Sequence, residues 1–307
     1  MQWLNNGGKN MLEEFRKYLE IKGYCHNYYY RIKSFIQFCE NNNIAYYEIT
    51  YPQLQDWILS LKQENKNLGS INNHIKAMRQ FYRYLIDYNH IPNAEILQTV
   101  QKVKLFEVER KIKDHITKEE LDDMIEMGIS FCGTISPEKL KALLYFFFYT
   151  GVRKGELLNL KRKDIDLENY KAIIRVPTKN RQERFVLFPK QITINDKKRD
   201  FKEILQAYFE SEEETDNAFC MNIGTLSYLF NDLKNYVPGK KFNIHTMRHS
   251  FTRMLASKQI DVRVAQKLLG HKNIQSTLIY YDPDIDIIQD IYDDKIGKEY
   301  KQKKRKK

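Results

Sequence analysis

The sequence predicts a mainly α-helical protein with a small β-sheet or hairpin, divided into two domains. Its length of 307 residues suits two domains at about 100–200 residues each. Apolar residues recur at three- and four-residue steps through most of the chain, which is the pattern of helices buried on one face. One segment, residues 171–188, instead contains two β-prone runs that a polar stretch separates. A hydrophobic content of 42% is enough for packed cores.

Residues 1–104 form the first predicted domain and read as four or five helices. The fourth helix begins at Ser70, and Pro92 ends it. The apolar residues of the first three helices fall on single stripes, which are Met11, Phe15, Tyr18 and Leu19; Ile32, Phe35, Ile36 and Cys39; and Leu54, Trp57, Ile58 and Leu61.

The fourth helix has a basic face opposite its apolar stripe. We expect Asn73, Lys76, Arg79, Gln80 and Arg83 to point outward on this face. Such a face suits contacts with the groove or the phosphate backbone of a nucleic acid. An ordinary solvated helix face is an equally good interpretation from these residues alone.

A mixed-charge segment at 105–114 is the predicted linker, because the apolar period lapses there. Thr117 and Glu120 then form a capping box that starts a new helix. The second predicted domain therefore covers residues 115–307.

The second domain continues with two helices, at 137–150 and 153–160. The β element follows them. Its runs at 172–176 and 184–188 are joined by the polar stretch TKNRQE, which predicts a hairpin.

The stretch FNIHTMRHSFTRMLASKQIDVRVAQKLLGHKNIQSTLIYYD near the carboxyl end places several polar side chains on three short helical segments. His245 and Arg248 are three positions apart, so on a helix they share one face and can both reach a single anion. A second histidine, His271, follows a glycine, and the tyrosines Tyr280 and Tyr281 come after it. This arrangement predicts a phosphate-binding site.

The remaining residues of this pattern lie upstream, in TGVRKGELLNL, where Arg153 and Glu156 are again three positions apart. The combined pattern resembles the tyrosine site-specific recombinases, the phage-integrase family that includes the Xer-type enzymes. The resemblance is dense from residue 150 to 280 and extends to the amino-terminal half by architecture. It implies a helical core-binding (SAM-like) domain followed by a tyrosine-recombinase catalytic domain.

The resemblance also implies the roles of individual residues. Glu156 is expected to orient an arginine. On the hairpin, Lys179 matches a lysine that reaches the cleaved bond, and Arg181 lies close enough to compete with it or to contact DNA. The implied catalytic residues are Arg153, Lys179, His245, Arg248, His271 and Tyr280.

These residue types suit the cleavage of a phosphodiester. Arg153 and Arg248 would neutralise the non-bridging oxygens with permanently charged, paired donors. The histidines would donate hydrogen bonds or accept the phenolic proton, because a phenol with a pKa of about 10 needs help to ionise. By the family's chemistry, Tyr280 forms a covalent 3′-phosphotyrosine and Lys179 protonates the leaving 5′ hydroxyl. Tyr281 is the alternative nucleophile.

We expect no metal and no other cofactor, and religation needs no ATP because the protein linkage keeps the bond energy. His245 and His249 have a spacing that can suggest zinc, but HTMRH lacks the glutamate of H-E-x-x-H. The four cysteines have no C-x-x-C spacing, so the sequence suggests neither a zinc site nor a disulfide framework.

Composition favours a polyanionic partner and an intracellular protein. The net charge is +11, which favours a polyanionic partner. Much of this charge lies in residues 295–307, which contain eight Lys or Arg and one Glu and end in the basic tail KKRKK. No apolar run approaches the roughly 18 residues of a membrane helix. The amino terminus, MQWLNNGGKN, lacks the regions of a signal peptide. We therefore expect a cytoplasmic protein whose partner is double-stranded DNA.

A last apolar stripe, Ile285, Ile288, Tyr292 and Ile296, predicts a carboxyl-terminal helix. It would pack on its own domain or dock on a neighbouring protomer as an oligomerisation helix. The hypothesis is a recombinase or integrase that acts as a dimer on one site and a tetramer in the synapse. Relaxation of supercoils by a type IB topoisomerase-like reaction, and an inactive DNA-binding protein of the same fold, are the alternatives. The sequence leaves open whether the DNA belongs to a phage, transposon, plasmid or chromosome.

Overall fold

The computed structural model divides the chain into two compact units, Met1–Glu109 and Arg110–Lys307. The structure describes residues 7–88, 95–108, 113–131, 135–175, 183–212 and 215–281. Lys179, Arg181, the expected carboxyl-terminal helix and the basic tail lie outside these residues. The predicted fold class, mainly α with small β elements, is confirmed.

The first unit is helical throughout its described elements. Its helices are α1 (Gly7–Lys22), α2 (Asn27–Asn41), α3 (Tyr51–Gln63), α4 (Leu68–Asp87) and α5 (Glu95–Lys102). The three predicted apolar stripes all lie in its core. α4 begins two residues before the predicted Ser70, because the side chain of Asn67 caps it by accepting from the Ser70 N–H at 2.8 Å.

The outward face of α4 differs from its prediction at two positions. Gln80 is buried, and its amide nitrogen donates to the Tyr18 hydroxyl at 2.7 Å. Lys76 and Arg83 are exposed, as expected. Arg79 is half-buried, and its guanidinium donates to the carbonyl oxygen of Val103 at 2.5 Å, just after the last residue of α5. The carbonyls at the end of a helix lack intrahelical partners, so an arginine there satisfies them. The exposed residues of the predicted face are therefore Asn73, Lys76 and Arg83, of which the last two are basic.

The second unit packs helices around two small antiparallel sheets. Its elements are α6 (Lys118–Phe131), α7 (Pro137–Thr150), α8 (Lys154–Leu158), β1 (Ile165–Asp166), β2 (Lys171–Ile174), β3 (Arg184–Leu187), β4 (Gln191–Ile194), β5 (Lys197–Asp200), α9 (Phe201–Ser211), α10 (Ile223–Leu233), α11 (Ile244–Ser257), α12 (Val262–Leu269) and α13 (Gln275–Leu278). α7 is buried along most of its length and contacts α6, α9, α11 and β3. It is the central helix of this core.

The predicted hairpin belongs to a three-stranded sheet in the order β1-β2-β3, with Ile174 opposite Arg184. The second sheet, β4 and β5, was not predicted. Its strands are joined by Asn195 and Asp196, which have φ values of 47° and 61°. Positive φ at both central residues is the requirement of a type I′ hairpin turn, and Asn and Asp tolerate it. This dipeptide was the available sequence signal.

Two glycines end helices next to the polar residues of interest. Gly151 and Gly270 have φ values of 57° and 61° and cap α7 and α12 in the left-handed conformation. A Cβ at Gly151 would lie 2.3 Å from a ring carbon of Phe251, and one at Gly270 would lie 2.7 Å from Cδ of Arg184. Glycine therefore provides both the turn and the close packing at each position.

None of the helices within the described ranges is long and apolar enough to cross a membrane.

Candidate active site

Three guanidinium groups converge on the carboxyl end of α12. Three consecutive carbonyl oxygens accept there, each from a different arginine: Leu268 from Arg184, Leu269 from Arg248 at 2.6 Å, and Gly270 from Arg153 at 2.8 Å. These carbonyls have no partner within the helix and carry the negative end of its dipole. The end of α12 therefore holds three positive side chains that would otherwise repel one another.

The carboxylate of Glu156 lies between two of these arginines. Its side chain is 3% exposed, and it accepts from Arg153 Nη1 and Arg184 Nη2, each at 2.7 Å. The backbone N–H of Arg153 also donates to it at 2.7 Å. Burial alone would raise the pKa of Glu156, but the hydrogen bond and charge of Arg184 and the donors of Arg153 outweigh burial and lower this pKa to about 2. Glu156 is therefore ionised and holds both guanidinium groups in place.

Arg248 is the most deeply buried of the three. It is 8% exposed, and its second bonded nitrogen, Nη1, donates to the carbonyl oxygen of Gly151 at 2.5 Å. Burial, together with the charges of Arg153 and Arg184, lowers the pKa of Arg248 to about 9. Arg248 still carries its charge at neutral pH, and an anion bound nearby would relieve the repulsion that lowers its pKa.

Tyr280 lies close to this arginine. Its hydroxyl is hydrogen-bonded to Nδ1 of His249, and the two rings stack with centroids 5.8 Å apart and an interplanar angle of 20°. The tyrosine is 6% exposed, and burial raises the pKa of its phenol to about 12 against the opposing charge of Arg248. Tyr280, Arg248, His249 and His271 all line one cavity of about 350 Å³.

Tyr281 has different surroundings from Tyr280. Its ring packs against the small cluster that includes Phe251 and Leu269, and its hydroxyl is buried without a hydrogen-bond partner among the described residues. Burial and the charge of Asp261 raise the pKa of Tyr281 to about 12. Tyr281 does not line the cavity that contains Arg248.

The histidines of the pattern also occupy different positions. Nδ1 of His271 is hydrogen-bonded to Oγ1 of Thr277 at 2.8 Å, and burial with the charges of Arg248 and Arg153 lowers the pKa of His271 to about 4. The pKa of His249 is also lowered to about 4, chiefly by burial. His245 is exposed and lines neither the Tyr280 cavity nor the groove beside it. Its pKa is lowered by partial burial and by Lys154.

A wider groove of about 1320 Å³ adjoins the Tyr280 cavity, and both share His271, Asn273 and Ser276 in their linings. Its lining contains four cationic side chains and two carboxylates, so cations are in excess; they are Arg153, Arg184, Lys267 and Lys272, with Glu156 and Glu183. A groove with this charge attracts an extended polyanion. The structure thus brings Arg153, Glu156, Arg248, His271 and Tyr280 to one connected surface.

Sequence reasoning missed two residues of this site. Arg184 was assigned only to the second strand of the hairpin, although it reaches both Glu156 and α12. His249 was considered only for the zinc-like spacing with His245. The sequence signal for His249 was its position directly after Arg248 on a helix. Among the described residues, no three His, Cys, Asp or Glu side chains are grouped as a metal ion would require.

Comparisons with known proteins agree with this geometry. The family model described as "Phage integrase family" matches residues 115–285, and "Phage integrase, N-terminal SAM-like domain" matches residues 11–90. The tyrosine recombinase XerC of Bacillus licheniformis is 26% identical, over 92% of this chain and 95% of the relative. The tyrosine recombinase XerA of Saccharolobus solfataricus is 30% identical, over 80% of this chain and 78% of the relative.

Two solved structures share the fold. The Tn1549 transposon integrase in complex with a circular intermediate DNA has a TM-score of 0.67 at 16% identity, covering 92% of this chain and 98% of that one. A lambda integrase dimer bound to a core site has a TM-score of 0.64 at 18% identity, covering 87% and 96%.

Proposed function

Because this chain belongs to the phage integrase family, as a tyrosine recombinase that transfers DNA strands, we propose that Tyr280 is its nucleophile and that the arginine cluster at the end of α12 binds the scissile phosphate. The observation that carries this proposal is the position of the Tyr280 hydroxyl, which lies in one cavity with Arg248. Of the adjacent tyrosines, Tyr280 alone lines that cavity.

In the proposed reaction, the oxygen of Tyr280 forms a bond to phosphorus, and the bond from phosphorus to the 5′ oxygen breaks. The phenol loses its proton to His271, the neutral histidine of the catalytic set that lines the same cavity. The 5′ oxygen gains a proton, which Lys179 supplies by the resemblance. The product is a 3′-phosphotyrosine and a free 5′ hydroxyl. Attack by another 5′ hydroxyl reverses these changes and joins a new strand, so the exchange needs neither ATP nor a metal ion.

Arg153 and Arg248 suit the charge changes of this reaction. Both are hydrogen-bonded to backbone carbonyl oxygens, which hold the guanidinium groups in place. Donors that are already in place need no reorganisation as negative charge develops on the phosphate oxygens. The side chain of Arg153 is 30% exposed and lines the groove, which suits direct contact with a phosphate.

The proposed partner is double-stranded DNA at specific recombination sites. The cationic groove beside the cavity, and the exposed Lys76 and Arg83 of the first unit, support contacts with its backbone. We propose the SAM-like core-binding role for residues 1–104, with the linker at 105–114 and the catalytic role at 115–307. We also propose that the protein acts as a dimer on one site and as a tetramer in the synapse, and that it is cytoplasmic.

The test uses a nicked duplex that carries the recombination site, which is identified by sequencing the DNA that flanks the coding region and searching it for inverted repeats around a short spacer. The nick lets the short 5′ strand diffuse away, so the covalent adduct accumulates and appears as a shifted band in a denaturing gel. Wild type and Tyr281→Phe should both form the adduct, and Tyr280→Phe should form none. An adduct that persists in Tyr280→Phe and disappears in Tyr281→Phe would refute the assignment. Relaxation of a supercoiled plasmid without recombination between two sites would refute the recombinase function.

A further inference from the structure

His249 has no role in the reaction proposed above, yet it makes the closest polar contact to the nucleophile. Its Nδ1 is hydrogen-bonded to the Tyr280 hydroxyl, and within the described residues this hydroxyl has no other hydrogen bond. The stacked rings hold the two side chains in a defined orientation. The contact joins α11 to the segment after α13, and His249 and Tyr280 are 31 residues apart in sequence.

Two other polar side chains of the cavity, Arg248 and His271, make their hydrogen bonds elsewhere. Arg248 directs its bonded nitrogens to the carbonyls of Gly151 and Leu269. His271 directs Nδ1 to Thr277. Neither side chain is hydrogen-bonded to the phenol in this arrangement, and His249 is.

The protonation state of His249 defines the direction of this hydrogen bond. Burial lowers the pKa of His249 to about 4, with smaller contributions from the charges of Lys113, His245 and Arg248, so the imidazole is neutral at neutral pH. Tyr280 is also neutral there, because its pKa is raised. The phenol O–H therefore donates, and Nδ1 accepts.

We propose that His249 is a positioning residue for Tyr280, whose Nδ1 accepts the phenolic hydrogen bond and orients the nucleophilic oxygen within the Arg248 cavity. This inference rests on the proposed function of Tyr280 as the nucleophile. A reacting group displaced by about 1 Å loses about 100-fold in rate, so an acceptor that fixes a buried phenol has a measurable effect. The role requires an acceptor at the Nδ1 position and does not require a titrating group.

Three substitutions separate this role from simple packing and from proton transfer. The amide oxygen of His249→Asn can reach the position of Nδ1, whereas that of His249→Gln reaches the position of Nε2. His249→Phe keeps a ring of similar shape without an acceptor. Single-turnover adduct formation is measured for each on the nicked duplex at saturating protein, with the dissociation constant for the same DNA measured separately.

We expect His249→Asn to retain the wild-type rate within a few-fold and to keep the wild-type dependence of rate on pH. His249→Gln and His249→Phe should be slower by about 10- to 100-fold with unchanged DNA affinity. A wild-type rate for His249→Phe would overturn the inference. So would a His249→Asn variant as slow as His249→Phe, because the reaction would then need the imidazole itself.

Two controls keep the outcomes separate. If wild type forms no adduct, or Tyr280→Phe still forms one, the proposed function fails before His249 is tested. If His249→Phe does not fold, as judged by its circular dichroism and thermal melt, the comparison of His249→Asn with His249→Gln decides the question. Equal rates for these two amides would then overturn the inference.

Discussion

Glu156→Gln removes the negative charge between two arginines and keeps the size of the side chain. The pKa of Glu156 is lowered from 4.5 to about 2, and the size of this change measures how much the ionised carboxylate stabilises the folded state. At about 1.36 kcal/mol per pKa unit, the gap corresponds to about 3 kcal/mol, and the side chain is too well buried for solvent to screen much of it. We therefore expect Glu156→Gln to lower the free energy of unfolding by about 3 kcal/mol at pH 7.

The sign of the pH dependence follows from the lowered pKa. The stabilisation is fully present above the unfolded-state pKa near 4.5 and is lost as pH falls towards about 2, where the folded protein also binds the proton. Wild type and Glu156→Gln should therefore differ by about 3 kcal/mol at pH 7 and by less with each step below pH 4.5. The natural comparison is Glu168→Gln, because Glu168 is 79% exposed and pairs with Lys202 at the surface. That control should change stability little at either pH.

The assay is urea unfolding at several pH values. It is followed by far-ultraviolet circular dichroism, because both tryptophans of the sequence, at positions 3 and 57, precede the predicted catalytic domain and would report poorly on it. A loss of equal size at pH 7 and at pH 3 would show that the carboxylate charge is not the cause. A loss below about 1 kcal/mol at pH 7 would show that Arg153 and Arg184 are held without Glu156.

Three further predictions concern the surroundings of the site and the first unit. Gly270→Ala should lower the free energy of unfolding by about 1–2 kcal/mol, because residue 270 has a positive φ and its Cβ would press on a neighbouring side chain, whereas Gly155→Ala, with open space at its Cβ, should be neutral or stabilising in chemical denaturation. Tyr281→Phe should raise the free energy of unfolding by about 1 kcal/mol, seen as a slightly higher melting temperature, because it removes a buried hydroxyl that has no hydrogen-bond partner among the described residues. A clear destabilisation would show that this hydroxyl is hydrogen-bonded. Arg79→Met should destabilise the protein by about 1 kcal/mol through its lost hydrogen bond to the end of α5, while Lys76→Met should leave stability unchanged and weaken DNA binding in a titration at low salt; the reverse order would refute this division of roles.

The sequence predicted the helices well, because their boundaries depend on local signals. The apolar stripes of the first three helices all lie in the core of the first unit. The capping box at Thr117 forms as predicted, with the Thr117 N–H donating to Glu120 just before α6. The second hairpin was missed because its strands are short and their burial is not alternating, so periodicity carried little information. Its Asn195-Asp196 turn was a weaker signal than the more usual turn with glycine.

The burial of Arg79 could not be predicted from α4 alone. A helix pattern shows which residues share a face, but the chain that covers an edge of that face lies more than 20 residues away at Val103. Arg184 and His249 were missed for the same reason. Each has an unremarkable local context, and each gains its partners only from α12 or from the segment after α13.

The sequence by itself determined the fold class, the family and the order of the motif residues, because periodicity and spacing are properties of neighbouring positions. Only the tertiary structure decided which side chains meet. It brought Arg153 to the carbonyl of Gly270 across 117 residues, added Arg184 to the cluster, and left His245 outside the cavity that contains Tyr280. The physical reason is that the last carbonyls of α12 have no partner within the helix, and the buried carboxylate of Glu156 needs donors. Both are satisfied by whichever cationic side chains the fold brings near them, whatever their separation in sequence.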